Sequence, residues 1–156
     1  MRNIIFRGRK PGSHEWAEGS LIVADNFTAI LEAEDKVHPM DYPYLDGDLG
    51  TIDGKATPVE RETVGQFTGV YDRSGNPIFE GDICRIKLSE KTVLTAVVEY
   101  AENVGTFILL YNEKQAHVLP VFLEMTSGYE NVGFEVIGNF HDNPELHTAT
   151  MLTPEE

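Results

Sequence analysis

Between residues 82 and 111 polar and apolar side chains alternate with a period of two, and nothing else in this chain constrains its fold as strongly. In DICRIKL, Cys84, Ile86 and Leu88 alternate with Arg85 and Lys87, the pattern of a strand with one face in a core. In TVLTAVVEY, Leu94, Ala96, Val98 and Tyr100 share one face, and TFILLY is apolar on both, as a central strand would be. The polar breaks at residues 89–91 and 103–105 are hairpin-sized, so these strands are expected to pair antiparallel in sequence order. GFEVIGNF reads as a further strand, and HVLPVFLEM fits either a strand or one helical turn.

The N-terminal third has the same character. NIIFR, a turn at Pro11 and Gly12, HEWAEGSLIV with Gly19 as a bulge, and FTAILEA make a three-stranded meander. A helix over residues 28–37 is the weaker alternative, because β-branched and aromatic residues flank it and no long amphipathic pattern runs through it. The expected fold is all-β or mainly β: an N-terminal meander plus a small SH3-like antiparallel barrel, with at most short helical turns. A single domain is expected, with the meander and an acidic excursion over residues 1–60, the barrel-forming region over 61–147 and a tail over 148–156. A chain of 156 residues buries roughly two-thirds of its unfolded surface, enough for a core without staples.

Charge is the unusual property. Against 26 acidic side chains stand 12 Lys and Arg, a formal net charge of −14 that repels nucleic-acid phosphates and anionic lipid. Generic nucleic-acid binding and membrane binding are therefore not expected. Residues 11–60 hold eleven Asp and Glu but only Lys36 and Lys55 as bases, whereas Arg2, Arg7, Arg9 and Lys10 precede them with no acid. Within this run residues 35–56 lack core periodicity and read as a long surface excursion, whose Asp41, Tyr42, Tyr44, Asp46, Asp48 and Asp53 are the candidate contacts for a protein partner. Cys84 is the only cysteine, which rules out an internal disulfide and fits a reducing compartment. The apolar run of Ile4, Ile5 and Phe6 is too short for a signal peptide, and no stretch approaches the roughly 18 apolar residues of a membrane span. A soluble, cytoplasmic protein is expected.

The densest turn chemistry lies in ETVGQFTGVYDRSGNPIFEGDIC, residues 62–84. Residues 72–76 read as a polar turn in which Gly75 takes positive φ, Pro77 fixes its own φ, and Gly81 punctuates again before a strand. Asp72, Glu80 and Asp82 have the residue type of a catalytic carboxylate cluster, but turn capping accounts for Asp72 and solvation at a strand start for Asp82. Exchange of Asp72 for Asn is accordingly expected to matter little. This stretch resembles the central signature of the YopX family of phage and prophage proteins, in which a Gln, aromatic, Thr, Gly segment precedes a Gly-containing turn and an aromatic, Glu, Gly, Asp, Ile exit. IIFRGRK with EWAEGSL is similar to that family's opening, and FEVIGNFHDNPEL to its close. The resemblance implies a viral or prophage origin and expression inside a bacterial cell, and it assigns no catalytic residue.

Other chemistry finds little support in the residues. His14, His38, His117, His141 and His147 contain no i, i+4 pair and no nearby thiolate, so no metal site is expected. DGDLGTIDGKAT begins like a calcium loop at Asp46 and Asp48, then places Gly50, Thr51 and Thr57 where a ligand, the turn glycine and the closing Glu belong. Gly65 and Gly69 frame GQFTG within a strand pattern, where bulges or close backbone contacts explain them better than phosphate binding. Phe67, Tyr71, Phe79, Tyr100, Phe107 and Tyr111 form a possible stacking platform for single-stranded nucleic acid, but core packing is the expected use, since Arg73, Arg85, Lys87 and Lys91 are matched by Asp72, Glu80, Asp82 and Glu90. No cofactor is expected. The favoured reading is a non-enzymatic accessory protein that binds another protein or itself. A small enzyme or ligand binder with a site assembled from dispersed residues is the alternative, and an acidic mimic of nucleic acid is the third.

Overall fold

The computed structural model describes residues 4–32, 56–112, 115–126, 128 and 133–146, and the chain forms two compact units, Met1–Phe67 and Thr68–Glu156. In the first, β1 (Phe6–Arg9), β2 (Trp16–Ala24) and β3 (Phe27–Glu32) build the expected antiparallel meander. β4 (Ala56–Pro58) adds to the outside of β3, and the start of β5 (Gly65–Tyr71) adds to β1, giving the order β4-β3-β2-β1-β5. Where the alternative placed a helix, residues 28–32 are strand, because Thr28, Ala29 and Ile30 are buried against neighbours on both sides of β3. Neither ladder shows a register shift that would mark Gly19 as a bulge; it ends the pairing of β2 with β1, opposite Phe6, and begins that with β3, opposite Glu32. Its glycine is required because a Cβ there would run into the carbonyl oxygen of Leu31.

The core of this unit is small. Ala17 and Ile30 are fully buried with Val59, and Phe6, Leu21 and Val64 pack around them. A 3₁₀ turn, Arg61–Thr63, ties the chain back to the end of β1. The Arg9 N–H donates to Thr63 Oγ1 at 2.9 Å, the Glu60 N–H donates to the Arg9 carbonyl at 2.9 Å, and the Arg9 guanidinium meets Glu60 Oε2 at 2.9 Å.

In the second unit β5 runs on from Thr68 beside β6 (Pro77–Phe79), and a five-stranded antiparallel sheet follows. It comprises β7 (Asp82–Lys87), β8 (Val93–Ala101), β9 (Thr106–Asn112), β10 (Gln115–Val118) and β11 (Gly133–Asn139), in the order β10-β9-β8-β7-β11. β7, β8 and β9 pair in sequence order through tight turns, as the alternation predicts. The sheet is open, however. β10 and β11 are its two edges and do not pair, so the fold is all-β without the closed barrel expected from short staves. What removes one edge is a turn laid along β11, described below, rather than a closing strand.

Two local expectations also change. HVLPVFLEM is neither strand nor single turn but both in succession: β10 ends at Val118 and α1 spans Leu119–Thr126, with Pro120 in its first turn, where the missing N–H is no loss. α1 lays Leu119 and Phe122 into the core. TFILLY, apolar throughout, still alternates, with Phe107, Leu109 and Tyr111 buried and Ile108 and Leu110 half-buried. The core comprises these three with Ile78, Cys84, Ile86, Ala96, Val98, Leu119, Phe122 and Phe134. Among the described residues no helix is long and apolar enough to cross a membrane.

Candidate functional site

Asp41, Tyr42, Tyr44, Asp46, Asp48 and Asp53 lie outside the described residues, and of the calcium-loop pattern only Ala56 and Thr57 are described, as part of β4. The chemistry that can be described gathers instead on β11. In the turn after β5 the Asp72 N–H donates to the Asn76 carbonyl at 2.8 Å and the Gly75 N–H to the Asp72 carbonyl at 3.0 Å. Gly75 has φ of 85°, as the turn requires. Asp72 Oδ1 accepts from the N–H groups of Ser74 at 2.9 Å and Asn76 at 2.8 Å, which closes the turn locally. Its Oδ2 accepts from Asn76 Nδ2 at 3.0 Å and, 64 residues along the chain, from the Val136 N–H at 3.1 Å. The Arg73 N–H donates to the Phe134 carbonyl at 2.9 Å. The free edge of β11 is thus bonded by a turn where a strand would otherwise be needed.

Burial of Asp72 raises its carboxyl pKa, and the hydrogen bonds from Asn76, Val136 and Ser74 together outweigh that, holding it below the ordinary carboxylate range. The group is a fixed anion that accepts hydrogen bonds, not a proton-transfer acid.

The other side of β11 pairs with β7, and its end meets the next turn of the same signature. Gly81, with φ of 87°, donates its N–H to the Val98 carbonyl at 2.8 Å and accepts at its own carbonyl from the Phe140 N–H at 2.9 Å. Asp82 is 1% exposed, so solvation at a strand start does not account for it; its Oδ2 accepts the Phe79 N–H at 2.7 Å and holds the turn from inside. Beyond β11, Asn139 Oδ1 accepts from the N–H groups of His141 at 3.0 Å and Asp142 at 2.9 Å, and its Nδ2 donates to Asp142 Oδ2 at 2.9 Å. The Asn139 N–H donates to Asn143 Oδ1 at 3.2 Å across Gly138, where any Cβ would collide with the Asn143 side chain. This network leaves Phe140 exposed, its ring edge-on to His141 with centroids 4.8 Å apart.

The remaining candidates divide by burial. Phe67, Phe79, Phe107 and Tyr111 are buried as expected, but Tyr71 and Tyr100 are 59% and 43% exposed and do not serve as core. Tyr111 is the chemically odd member: burial pushes its hydroxyl up to about 12, and among the described residues that hydroxyl has no hydrogen-bond partner. The basic N-terminal run is partnered within its own unit, Arg9 by Glu60, Lys10 by Glu15 at 3.3 Å, and Arg7 stacked 4.8 Å over the Trp16 ring. Among the charges of residues 72–91, Lys87 meets Glu90 at 3.1 Å, while Asp72 and Asp82 accept from backbone donors. Among the described residues no group of three His, Cys, Asp or Glu side chains is placed to hold a metal ion.

The three blocks that carry the resemblance are therefore structural neighbours by pairs: the opening pairs β1 with β2, and the central block grips the closing one along β11. A family model described as YopX protein matches residues 17–147. The chain belongs to the YopX family. It is similar over 94% of its length to the crystal structure of protein EF1440 from Enterococcus faecalis, at 25% identity and a TM-score of 0.57, covering 99% of that chain. It is also similar to the crystal structure of protein yopX from Bacillus subtilis, at 19% identity and a TM-score of 0.49, with 94% of this chain and 98% of that one covered. No curated protein matches. Sequence reasoning found the 72–76 turn of this YopX chain but missed its reach to Val136, and missed the Asn139 network altogether; the Asn at both ends of NFHDN was the available signal.

Proposed function

We propose that this chain is a phage or prophage accessory protein that works in the bacterial cytoplasm by non-covalent contact, with another protein or with itself, rather than by catalysis. The observation that carries this reading is the distribution of side chains in the second unit. Asp72, Asp82, Asn139 and Asn143 hold turns and the β11 edge, while Tyr71, Tyr100, Val104, Val121, Met125 and Phe140 stand exposed. Polar groups engaged in architecture and large apolar groups facing outward are what a contact surface needs.

The test is affinity capture with the folded chain from cells that carry the prophage, alongside sedimentation of the purified chain. The expected result is a stoichiometric protein partner or a defined oligomer. A chain that stays monomeric, captures no protein, and turns over a small molecule in the same extract would refute the reading.

A further inference from the structure

We propose that the outward face of the five-stranded sheet, where Arg73, Arg85, Lys87 and Lys91 gather, is a docking surface for an acidic segment of a partner protein. The inference rests on the reading above and names the chemistry of the partner. In a chain of net charge −14 a cationic face needs a local cause, and the turns supply one. Sequence sets Asp72 and Asp82 against these cations, but both carboxylates are buried and accept hydrogen bonds from backbone N–H groups. The cations stay outside. Lys87 meets Glu90 at 3.1 Å, and among the described residues no acid lies within ion-pair distance of the exposed Arg73, Arg85 and Lys91.

Register brings these groups together. Cys84 and Ile86 enter the core, so Arg85 and Lys87 point to the opposite face of β7. On one side Gly133 of β11 stands opposite Lys87 and Glu135 opposite Arg85; on the other, Val93 of β8 stands opposite Lys87 and Thr95 opposite Arg85. Gly133 brings no side chain to its place in the row, and Arg73 reaches that place from the turn. A Cβ on Gly133 would have Arg73 Nη1 at 3.4 Å and the Lys87 Cβ at 3.7 Å. Arg73 is fixed to β11 through its backbone N–H, bonded to the Phe134 carbonyl at 2.9 Å, so its guanidinium is not what holds the strand. Beside this pair of cations Val93 is 54% exposed.

Charge selects the occupant. A basic segment is repelled here. A long nucleic acid meets the same cations, but its phosphates also meet the field of 26 acids against 12 bases. At physiological ionic strength fields fade over about 8 Å, so a short acidic segment feels the patch rather than the whole chain. Its carboxylates suit the Arg73 fork and the Lys87 ammonium, and an apolar residue between them covers Val93.

An amide-resolved NMR titration of the full chain tests this, with a synthetic peptide of alternating Glu and Val, the same peptide with Gln for Glu, and single-stranded oligothymidylate as probes. The expected result is that the Glu peptide shifts the amides of Arg73, Arg85, Lys87 and Val93 and the Gln peptide does not. Arg73→Gln and Arg85→Gln are each expected to raise the dissociation constant of the Glu peptide about threefold to fivefold. Thermal unfolding is expected to stay unchanged, because Gln keeps the Arg73 N–H. No shift with the Glu peptide, equal shifts with the Gln peptide, or tighter binding of the oligonucleotide at these residues overturns the proposal. A chain carrying both substitutions that captures the wild-type protein partner undiminished also overturns this surface, and leaves the wider reading standing.

Discussion

Replacing Asp72 by Asn tests whether the turn after β5 clamps the C-terminal strand. The carboxylate is 7% exposed and accepts four hydrogen bonds, two at each oxygen. An amide in its place keeps one oxygen and presents an NH₂ to two donors. In one orientation these are Asn76 Nδ2 and the Val136 N–H, and in the other the Ser74 and Asn76 N–H groups. Either way two bonds are lost and a donor faces donors. At about 1 kcal/mol for each net hydrogen bond the cost is about 2 kcal/mol, and for a chain this long that is a fall in Tm of about 4–8 °C. The substitution that turn chemistry alone treats as harmless is therefore expected to be among the costlier polar ones. Thermal unfolding measures the total, and hydrogen exchange at Val136 locates it, since that amide loses its acceptor. The pH dependence has a definite sign. The folded-state pKa is depressed, so the stabilisation is fully present above the ordinary carboxylate value and is lost as pH falls through the lower folded one. The gap between wild type and Asp72→Asn is then expected to be constant near neutral pH and to narrow below about pH 4. A variant within about 0.5 kcal/mol of wild type at pH 7, with Val136 exchange unchanged, would refute the clamp.

Gly75→Val places a β-branched residue at φ of 85° with open space around it, so the expected loss of roughly 1 kcal/mol or more is backbone strain alone and is read from denaturant unfolding. Gly138→Ala drives a methyl into the Asn143 side chain; faster exchange at the Asn139 and His141 amides reports the loss of that turn. Tyr111→Phe removes a buried hydroxyl that has no partner among the described residues and is expected to leave stability unchanged or raise it, whereas an ordinary buried tyrosine loses about 1 kcal/mol; calorimetry decides. Replacing Asp41, Asp46, Asp48 and Asp53 together by Asn is expected to weaken binding to a captured basic partner and flatten its salt dependence; unchanged affinity and salt response would leave the excursion a solvated loop.

Period-two alternation is a local property, and it reads correctly wherever a strand has one face in a core. Cys84, Ile86, Ala96 and Val98 are all fully buried, and the meander from Phe6 to Glu32 pairs as the turns require. Closure is not local. Whether β10 and β11 meet depends on what else satisfies the β11 edge, and the group that does so is an Asp whose turn role already explains it without reference to Val136. The same limit applies to Asp82, whose polarity suggests solvent although it is 1% exposed, because its Oδ2 accepts from a backbone N–H three residues back. Residues 115–126 misled for a different reason. A strand and a helix are joined there without a loop, and Pro120, a breaker inside either element, is neutral in the first turn of α1.

Contacts made by acidic side chains and contacts made by apolar ones answer oppositely to salt. Eleven acids against two bases in residues 11–60 attract a basic surface over a range of about 8 Å at physiological ionic strength, and added salt removes that attraction. The β10 edge and the outward face of α1 carry Ala116, His117, Val118, Val121 and Met125, with Glu124 as the one acid among these helix and strand positions. Contact there gains little from long-range fields, and between identical copies it works against their repulsion. A titration with salt, followed by mass, therefore tells a contact made by the acids, which salt weakens, from one made between apolar surfaces, which salt does not weaken.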